Sequence, residues 1–157
     1  MILVMLGTNP YPFVRLMDRV IKWVEETGER VVVQSGNTPV TNDKIEAHPF
    51  MDHSRILSLM QEADVVITQG GFGGLQDCIR VGARTIAVPR MVELGESTDD
   101  QIEIVNALAE ENLIIPLYDV EELADAIELA KNMNIESTTN YELPRHIATT
   151  ITGFLRK

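Results

Sequence analysis

Residues 70–74 read Gly-Gly-Phe-Gly-Gly and have the clearest chemical use in the sequence. They follow an apolar run and precede apolar residues at helical spacing, which predicts a strand, a tight turn and the start of a helix. Glycine weakens a helix start unless the backbone must approach another group closely. Amide N–H groups and the positive end of a helix dipole hold anions without a cationic side chain. The segment predicts a diphosphate site, and the alternative is a tight turn that lets strand and helix pack closely.

Two further features strengthen the prediction of a nucleotide site only in combination with this segment. Asp77 lies one turn into the predicted helix, from which its carboxylate can accept hydrogen bonds from two neighbouring ribose hydroxyls. A solvated aspartate on a helix surface fits that position equally well. Gly7 and Thr8 follow the first predicted strand and offer a second set of backbone N–H groups.

Other common sites do not match the sequence. The glycine spacing is neither G-x-G-x-x-G with an acidic residue about 20 positions later nor a loop ending in Gly-Lys-Ser/Thr. An NAD enzyme is therefore disfavoured, and phosphoryl transfer by the P-loop route is excluded. His48, His53 and His146 show no triad spacing, so we interpret them as structural or surface residues. The single cysteine, Cys78, excludes an internal disulfide and a cysteine-based zinc site.

Length and charge limit the remaining functions. The chain has 157 residues, 45% of them apolar, which predicts one domain over residues 1–157. Its 13 basic and 24 acidic side chains give a net charge of −11, and residues 91–130 hold 12 of the acidic residues and no basic one. Such a surface repels phosphate backbones, so no nucleic-acid partner is expected. The longest apolar run, residues 1–6, is too short to span a bilayer, and we expect a cytoplasmic protein.

Strands and helices alternate along the chain. The predicted strands are 2–6, 30–34, 44–47, 63–68, 85–89 and 113–117. The predicted helices are 13–24, 54–61, 70–81, 99–109, 119–130 and 143–156, the fifth of which starts with a capping box formed by Asp119 and Glu122. This order predicts an α/β fold, a doubly wound parallel sheet of Rossmann type. Ligands bind such sheets at the carboxyl ends of the strands, so the turns after Leu6, Gln34, Thr68 and Pro89 should carry the site.

Several motifs in sequence order carry a resemblance to a known family. They comprise residues 2–8 with Phe13 and Leu16 beyond them, and residues 33–36, 63–74, 88–90, 95–96 and 99–101. Together they resemble the donor-binding C-terminal domain of family 28 glycosyltransferases, over most of the chain, from residue 1 to about residue 130. The chain is most similar to the stand-alone small subunit of split enzymes that make dolichol-linked chitobiose or exopolysaccharide. The resemblance implies the UDP-sugar-binding half of a GT-B fold.

The resemblance also implies roles for individual residues. In that family the glycine segment faces the donor diphosphate, the position of Asp77 holds the ribose, and that of Gln101 contacts sugar hydroxyls. Arg90 and Glu96 lie in the matching loop. The predicted donor-binding residues are Gly7, Thr8, Gln69, Gly70, Gly71, Phe72, Gly73, Gly74, Asp77, Arg90, Glu96 and Gln101.

Two positions depart from the family pattern. Gln69 stands before the paired glycines and Asp100 before Gln101, where the family usually has histidine. Glutamine retains a hydrogen-bond donor, whereas Asp100 is expected to place negative charge near an anionic ligand. The departures leave open an altered donor, or a non-catalytic module that binds or senses a nucleotide sugar.

The main hypothesis is the donor-binding subunit of a split inverting glycosyltransferase, which moves a GlcNAc-like or other hexose from a UDP-sugar to a lipid-linked or glycan acceptor. A membrane-associated partner would supply the acceptor site and the general base, so no catalytic residue is assigned in this chain. Residues 143–157 would dock on that partner or pack on their own sheet. The expected site needs no cofactor and tolerates, without requiring, a divalent metal. Self-association as a structural protein is a third alternative.

Overall fold

The computed structural model describes residues 1–133, in which six strands form one parallel sheet. The strands are β1 Ile2–Met5, β2 Val31–Gln34, β3 Glu46–His48, β4 Val65–Gln69, β5 Thr85–Val88 and β6 Ile115–Pro116. Their order across the sheet is β3-β2-β1-β4-β5-β6. This is a doubly wound order, so the predicted fold class is confirmed.

Five helices of the described residues cover both faces of the sheet. They are α1 Val14–Thr27, α2 His53–Glu62, α3 Phe72–Val81, α4 Ile102–Glu110 and α5 Leu123–Lys131. Helices α1 and α5 pack on one face, and α2, α3 and α4 pack on the other. The four inner strands β1, β2, β4 and β5 are consequently buried on both sides, which explains their nearly continuous apolar sequences, whereas the edge strand β3 is largely exposed.

Strand β1 illustrates how the sequence produces this arrangement. All four of its residues are buried. Ile2 and Val4 face the core that α1 and α5 cover, whereas Leu3 and Met5 face α2 and α3. Alternate residues of a strand point to opposite faces, so a strand between two helical layers needs apolar residues at every position.

Two predicted helix starts differ from the structure. Helix α4 begins at Ile102 rather than at residue 99, because the preceding residues close a loop. The Asp100 carboxylate accepts a hydrogen bond from the Val92 amide at 2.7 Å, and the Gln101 amide donates to the Arg90 carbonyl at 3.2 Å. Asp119 is an N-cap, as predicted, but of a short 3-10 turn: its carboxylate accepts from the Glu121 amide at 3.0 Å, not from the Glu122 amide that a capping box requires, and α5 follows that turn.

Two expectations about the rest of the chain remain as predictions. The predicted helix at 143–156 and its docking role lie outside the described residues.

Within residues 1–133, no helix is both long enough and apolar enough to cross a bilayer.

Candidate functional site

A cavity of about 400 Å³ opens at the carboxyl ends of β1, β2 and β4. Strands β1 and β4 are neighbours whose chains continue to opposite sides of the sheet, which is the topological switch point where ligands bind. The cavity is lined by Met5, Gly7, Thr8, Gln34, Phe50, Met51, His53, Ile56, Met60, Thr68, Gln69, Gly71, Phe72, Gly73, Gly74 and Asp77. Eight of the twelve predicted donor-binding residues are thus brought together around one cavity.

The N-terminus of α3 forms one wall of this cavity. Gly71 is the N-cap residue, and no side chain of the described residues caps the helix. The first helical hydrogen bond from this turn runs from the Leu75 amide to the Gly71 carbonyl at 3.1 Å. The amides of Phe72, Gly73 and Gly74 come before it and have no helical acceptor. A partial positive charge therefore faces the cavity.

The glycines of the segment serve two different purposes. A Cβ atom on Gly70 would lie 2.8 Å from the Gln101 Cβ and 2.8 Å from a Val105 methyl group, so close packing against α4 requires glycine there. A Cβ atom on Gly73 would meet nothing within 4 Å. Packing explains Gly70, and only the approach of a group from the cavity would explain Gly73.

The loop after β1 is held by Gln34, a buried residue that the sequence analysis did not select. The Gly7 amide donates to Gln34 Oε1 at 2.9 Å, and Gln34 Nε2 donates to the carbonyls of Gly7 at 3.0 Å and Pro49 at 2.8 Å. The Gly7 amide is therefore engaged within the protein. Thr8 lines the cavity beside it. The position of Gln34 at the carboxyl end of a strand is the signal that could have found it.

Asp77 lines the cavity from α3, where His53 from the start of α2 reaches it. The distance between His53 Nε2 and Asp77 Oδ2 is 2.8 Å. The sequence analysis interpreted His53 as a structural or surface residue, whereas the structure places it on the cavity wall. Its place just beyond the carboxyl end of β3 could have indicated this.

The side of the cavity toward α2 is largely apolar. Met51, Ile56 and Met60 line it, and Phe50, from the loop after β3, has 63% of its surface exposed. The sequence analysis selected none of these residues. An exposed aromatic ring beside a cavity offers a stacking surface for a flat ring.

Arg90 lies outside the cavity lining and is only 1% exposed. Its guanidinium donates to the carbonyls of Leu6 at 2.8 Å, Tyr11 at 2.8 Å and Glu96 at 2.9 Å, and to Gln69 Oε1. Burial lowers the pKa of Arg90 to about 10, although the negative charge of Glu96 acts to raise it. The side chain therefore stays cationic at neutral pH. Arg90 therefore joins the loops after β1, β4 and β5.

Glu96 and Gln101 belong to the same network and do not line the cavity. The Glu96 carboxylate accepts from Arg15 at 3.0 and 3.1 Å and from the Met91 amide at 3.1 Å. Gln101 Oε1 accepts from the Arg90 amide at 3.0 Å. Asp100, expected near an anionic ligand, instead bonds the Val92 amide.

The charged groups of the cavity are few. Asp77 is the only carboxylate among the described lining residues, and no lysine or arginine joins it there. Residues 1–133 contain no group of three or more His, Cys, Asp or Glu side chains arranged to hold a metal ion. An anion in the cavity would therefore meet amide dipoles and neutral side-chain donors.

The family comparison matches residues 1–148 to the glycosyltransferase family 28 C-terminal domain. No curated protein matches the chain significantly.

Solved structures of longer proteins share the fold. The glycosyltransferase of kitacinnamycin superposes with a TM-score of 0.63 at 14% identity, over 98% of this chain and 38% of its own. The calicheamicin glycosyltransferase CalG4 superposes with a TM-score of 0.61 at 16% identity, over 99% of this chain and 36% of its own. The UDP-GlcNAc 2-epimerase of Methanocaldococcus jannaschii superposes with a TM-score of 0.62 at 11% identity, over 99% of this chain and 45% of its own. The chain thus spans less than half the length of these proteins.

Proposed function

Because the chain belongs to the family of glycosyltransferase family 28 C-terminal domains, we propose that it binds a UDP-sugar as the donor half of a glycosyltransferase. The observation that carries this proposal is the open N-terminus of α3 at the switch point. There Gly73 has free space in front of it, and the first-turn amides face the cavity. A diphosphate is the part of a nucleotide sugar that such a terminus stabilises best.

The proposed nucleotide lies along the cavity in one direction. With the diphosphate at the amides of residues 72–74, the ribose hydroxyls reach the Asp77 carboxylate one turn further along α3. The base then lies toward the apolar wall, where the Phe50 ring is exposed. The sugar extends the opposite way, toward Gln101 beyond Gly70.

Transfer in this arrangement relies on orientation and charge stabilisation. An acceptor hydroxyl attacks the anomeric carbon and loses its proton to a base, while the bond from that carbon to the diphosphate oxygen breaks with inversion. UDP leaves with the bonding electron pair, and the α3 amides stabilise its growing negative charge. No covalent enzyme intermediate and no metal ion are needed for these steps.

The acceptor site and the base are proposed to lie in a second, membrane-associated polypeptide. The chain spans 36–45% of the length of the solved structures that share its fold. The proposed acceptor is a lipid-linked or glycan hydroxyl, and the proposed sugar is GlcNAc or another hexose.

A second candidate function is a module that binds or senses a nucleotide sugar without transferring it. Gln69 favours it, because glutamine replaces the histidine that the family usually has before the paired glycines. Glutamine can donate a hydrogen bond but cannot exchange a proton near neutral pH.

Calorimetric titration of the folded chain tests both functions. UDP, UDP-GlcNAc and UDP-glucose are titrated, and ADP is the control that tests whether the uracil base is recognised. Binding of uridine nucleotides in preference to ADP is expected. An absence of heat with every uridine nucleotide would remove both candidates. Sugar transfer that appears only when a candidate membrane subunit is added would select the first, and its absence with every such subunit would favour the second.

A further inference from the structure

We propose that His53 is a positioning residue that controls donor binding through Asp77. It orients the Asp77 carboxylate and, when it takes up a proton, cancels the negative charge that opposes the diphosphate. This inference rests on the proposed function, because it concerns the regulation of that same site. Its consequence is a donor affinity that rises as the pH falls.

The contact between the two side chains fixes the state of the imidazole. His53 Nε2 lies 2.8 Å from Asp77 Oδ2. An ionised carboxylate only accepts hydrogen bonds, so Nε2 carries a hydrogen and donates it. The imidazole is therefore either the neutral Nε2–H form or the cation, and Nδ1 is the nitrogen that gains the proton. The same hydrogen bond holds Oδ2 of Asp77 and leaves Oδ1 for the ribose hydroxyls.

The net charge of the cavity wall depends on His53. Asp77 is the only carboxylate among the described lining residues, and none of them is a lysine or an arginine. With a neutral His53, this lining carries one negative charge, which repels a diphosphate; with a protonated His53, it carries no net charge. Histidine is also the only residue type in the described lining that changes charge between about pH 5 and pH 8.

The other charged groups around His53 are aspartates and arginines, residue types that do not normally titrate between about pH 5 and pH 8. On α3, Arg80 follows Asp77 by three residues and lies on the same side of that helix. On α2, Asp52 directly precedes His53 and favours its cation, whereas the positive end of the helix opposes it. Arg55 is two residues further along α2 and does not face His53. Because the His53 side chain is 67% exposed, water and salt weaken these interactions, and the expected effect is moderate.

The main test measures the affinity for a UDP-sugar, UDP-glucose or UDP-GlcNAc, by calorimetry at about pH 5.5 and about pH 8. Both ends of its diphosphate are esterified, whereas the terminal phosphate of UDP itself takes up a proton at about pH 6. We expect about fivefold tighter binding at the lower pH, and a change below about twofold for uridine, which has no charge to repel. By linkage, binding of the UDP-sugar at about pH 7 should take up protons, which titrations in buffers of different ionisation enthalpy detect.

Two variants separate the charge of His53 from its hydrogen bond. His53→Gln keeps an N–H donor for Asp77 but gains no proton in this range, so the pH dependence and the proton uptake should disappear. His53→Ala also removes the donor, and should bind both the UDP-sugar and uridine about threefold more weakly than His53→Gln at about pH 8. His48→Gln is the matched control, because His48 lies on β3 and does not line the cavity. It should leave the pH dependence unchanged.

The possible outcomes separate the inference from the proposed function. If the wild type binds the UDP-sugar equally well at both pH values, or if His53→Gln keeps the pH dependence, His53 does not set the charge of the site and the proposed function stands. The same follows if His48→Gln removes the pH dependence. If His53→Ala binds as tightly as His53→Gln, the orienting role is wrong. If the wild type binds neither UDP-sugar at either pH, both the inference and the proposed function are wrong.

Discussion

The two sides of the α3 N-terminus differ in what their polar groups face. On the side of β1 and α2, Gly73 and Asp77 border an open cavity. On the side of β5, Arg90 and Glu96 are buried and use their polar atoms within the protein. The cavity side is arranged to receive a ligand, whereas the β5 side holds three loops in place.

This difference separates stability from binding. Substitutions on the β5 side should mainly lower the free energy of unfolding, because they leave carbonyls and carboxylates without hydrogen-bond partners. Substitutions on the cavity side should change ligand affinity and leave the fold intact, because the atoms they alter face open space. The following predictions test that division.

The largest expected effect is on the β5 side. Arg90→Met removes the donor for three carbonyls and for Gln69, and should lower the free energy of unfolding by about 3–5 kcal/mol. Arg30→Met is the control, since Arg30 is exposed and lies 3.6 Å from Glu46 at the surface. It should change stability by less than about 0.5 kcal/mol. Urea unfolding measures both, and equal losses would contradict the structural role of Arg90.

The next largest effect is on the cavity side. Gly73→Asp places a negative charge in front of the first-turn amides and should weaken UDP binding about 100-fold. Aspartate is tolerated in the first turn of a helix, so the thermal unfolding midpoint should not fall. Gly73→Ala is the matched control: it adds a methyl group without a charge, so it should weaken UDP binding much less than Gly73→Asp does, and it should stabilise the helix by about 0.5–1 kcal/mol. Unchanged UDP affinity in Gly73→Asp would exclude this end of α3 as the diphosphate site.

A smaller effect is expected at the ribose. Asp77→Asn keeps the shape of the side chain but removes the charge that strengthens its hydrogen bonds to hydroxyls. UDP affinity should fall about tenfold. The affinity of 2′-deoxy-UDP should fall less, since it has one hydroxyl fewer to lose. Calorimetry with both nucleotides measures this, and equal losses would show that Asp77 does not hold the 2′-hydroxyl.

The smallest effect is expected at an ion pair outside both regions. Hydrogen bonding to His48, with the charge of Arg30 nearby, holds the pKa of Glu46 below its ordinary value of 4.5. A carboxyl group with a lowered folded pKa stabilises the protein above its unfolded pKa, and this contribution is lost as pH falls through the folded pKa. Glu46→Gln should therefore cost less than about 0.5 kcal/mol at pH 7 and nothing in strong acid. Urea unfolding at both pH values measures it, and a larger loss at pH 7 would show that this exposed pair is structural.

The sequence predicted the sheet more completely than the site. Strand β4, which reads Val-Val-Ile-Thr-Gln, was predicted from the apolar run at its start, because burial on both faces leaves consecutive apolar residues. The glycine segment was predicted to start a helix, which begins at Phe72. The start of α4 was predicted three residues early, because the hydrogen bonds of Asp100 and Gln101 to the preceding loop have no signal in local spacing.

The site was harder to predict because its contacts join distant parts of the chain. Arg90 is buried by carbonyls of Leu6 and Tyr11, which are 84 and 79 residues away in the sequence. His53 reaches Asp77 across 24 residues, and neither residue alone indicates the pair. Residue type and spacing could predict the glycine segment, whereas the separation of cavity residues from supporting residues required the fold.

A crystal structure of the chain with UDP tests the central claim most directly. The account predicts the diphosphate within hydrogen-bond distance of the Gly73 and Gly74 amides, with the ribose at Asp77. UDP bound elsewhere, with these amides facing solvent, would contradict it.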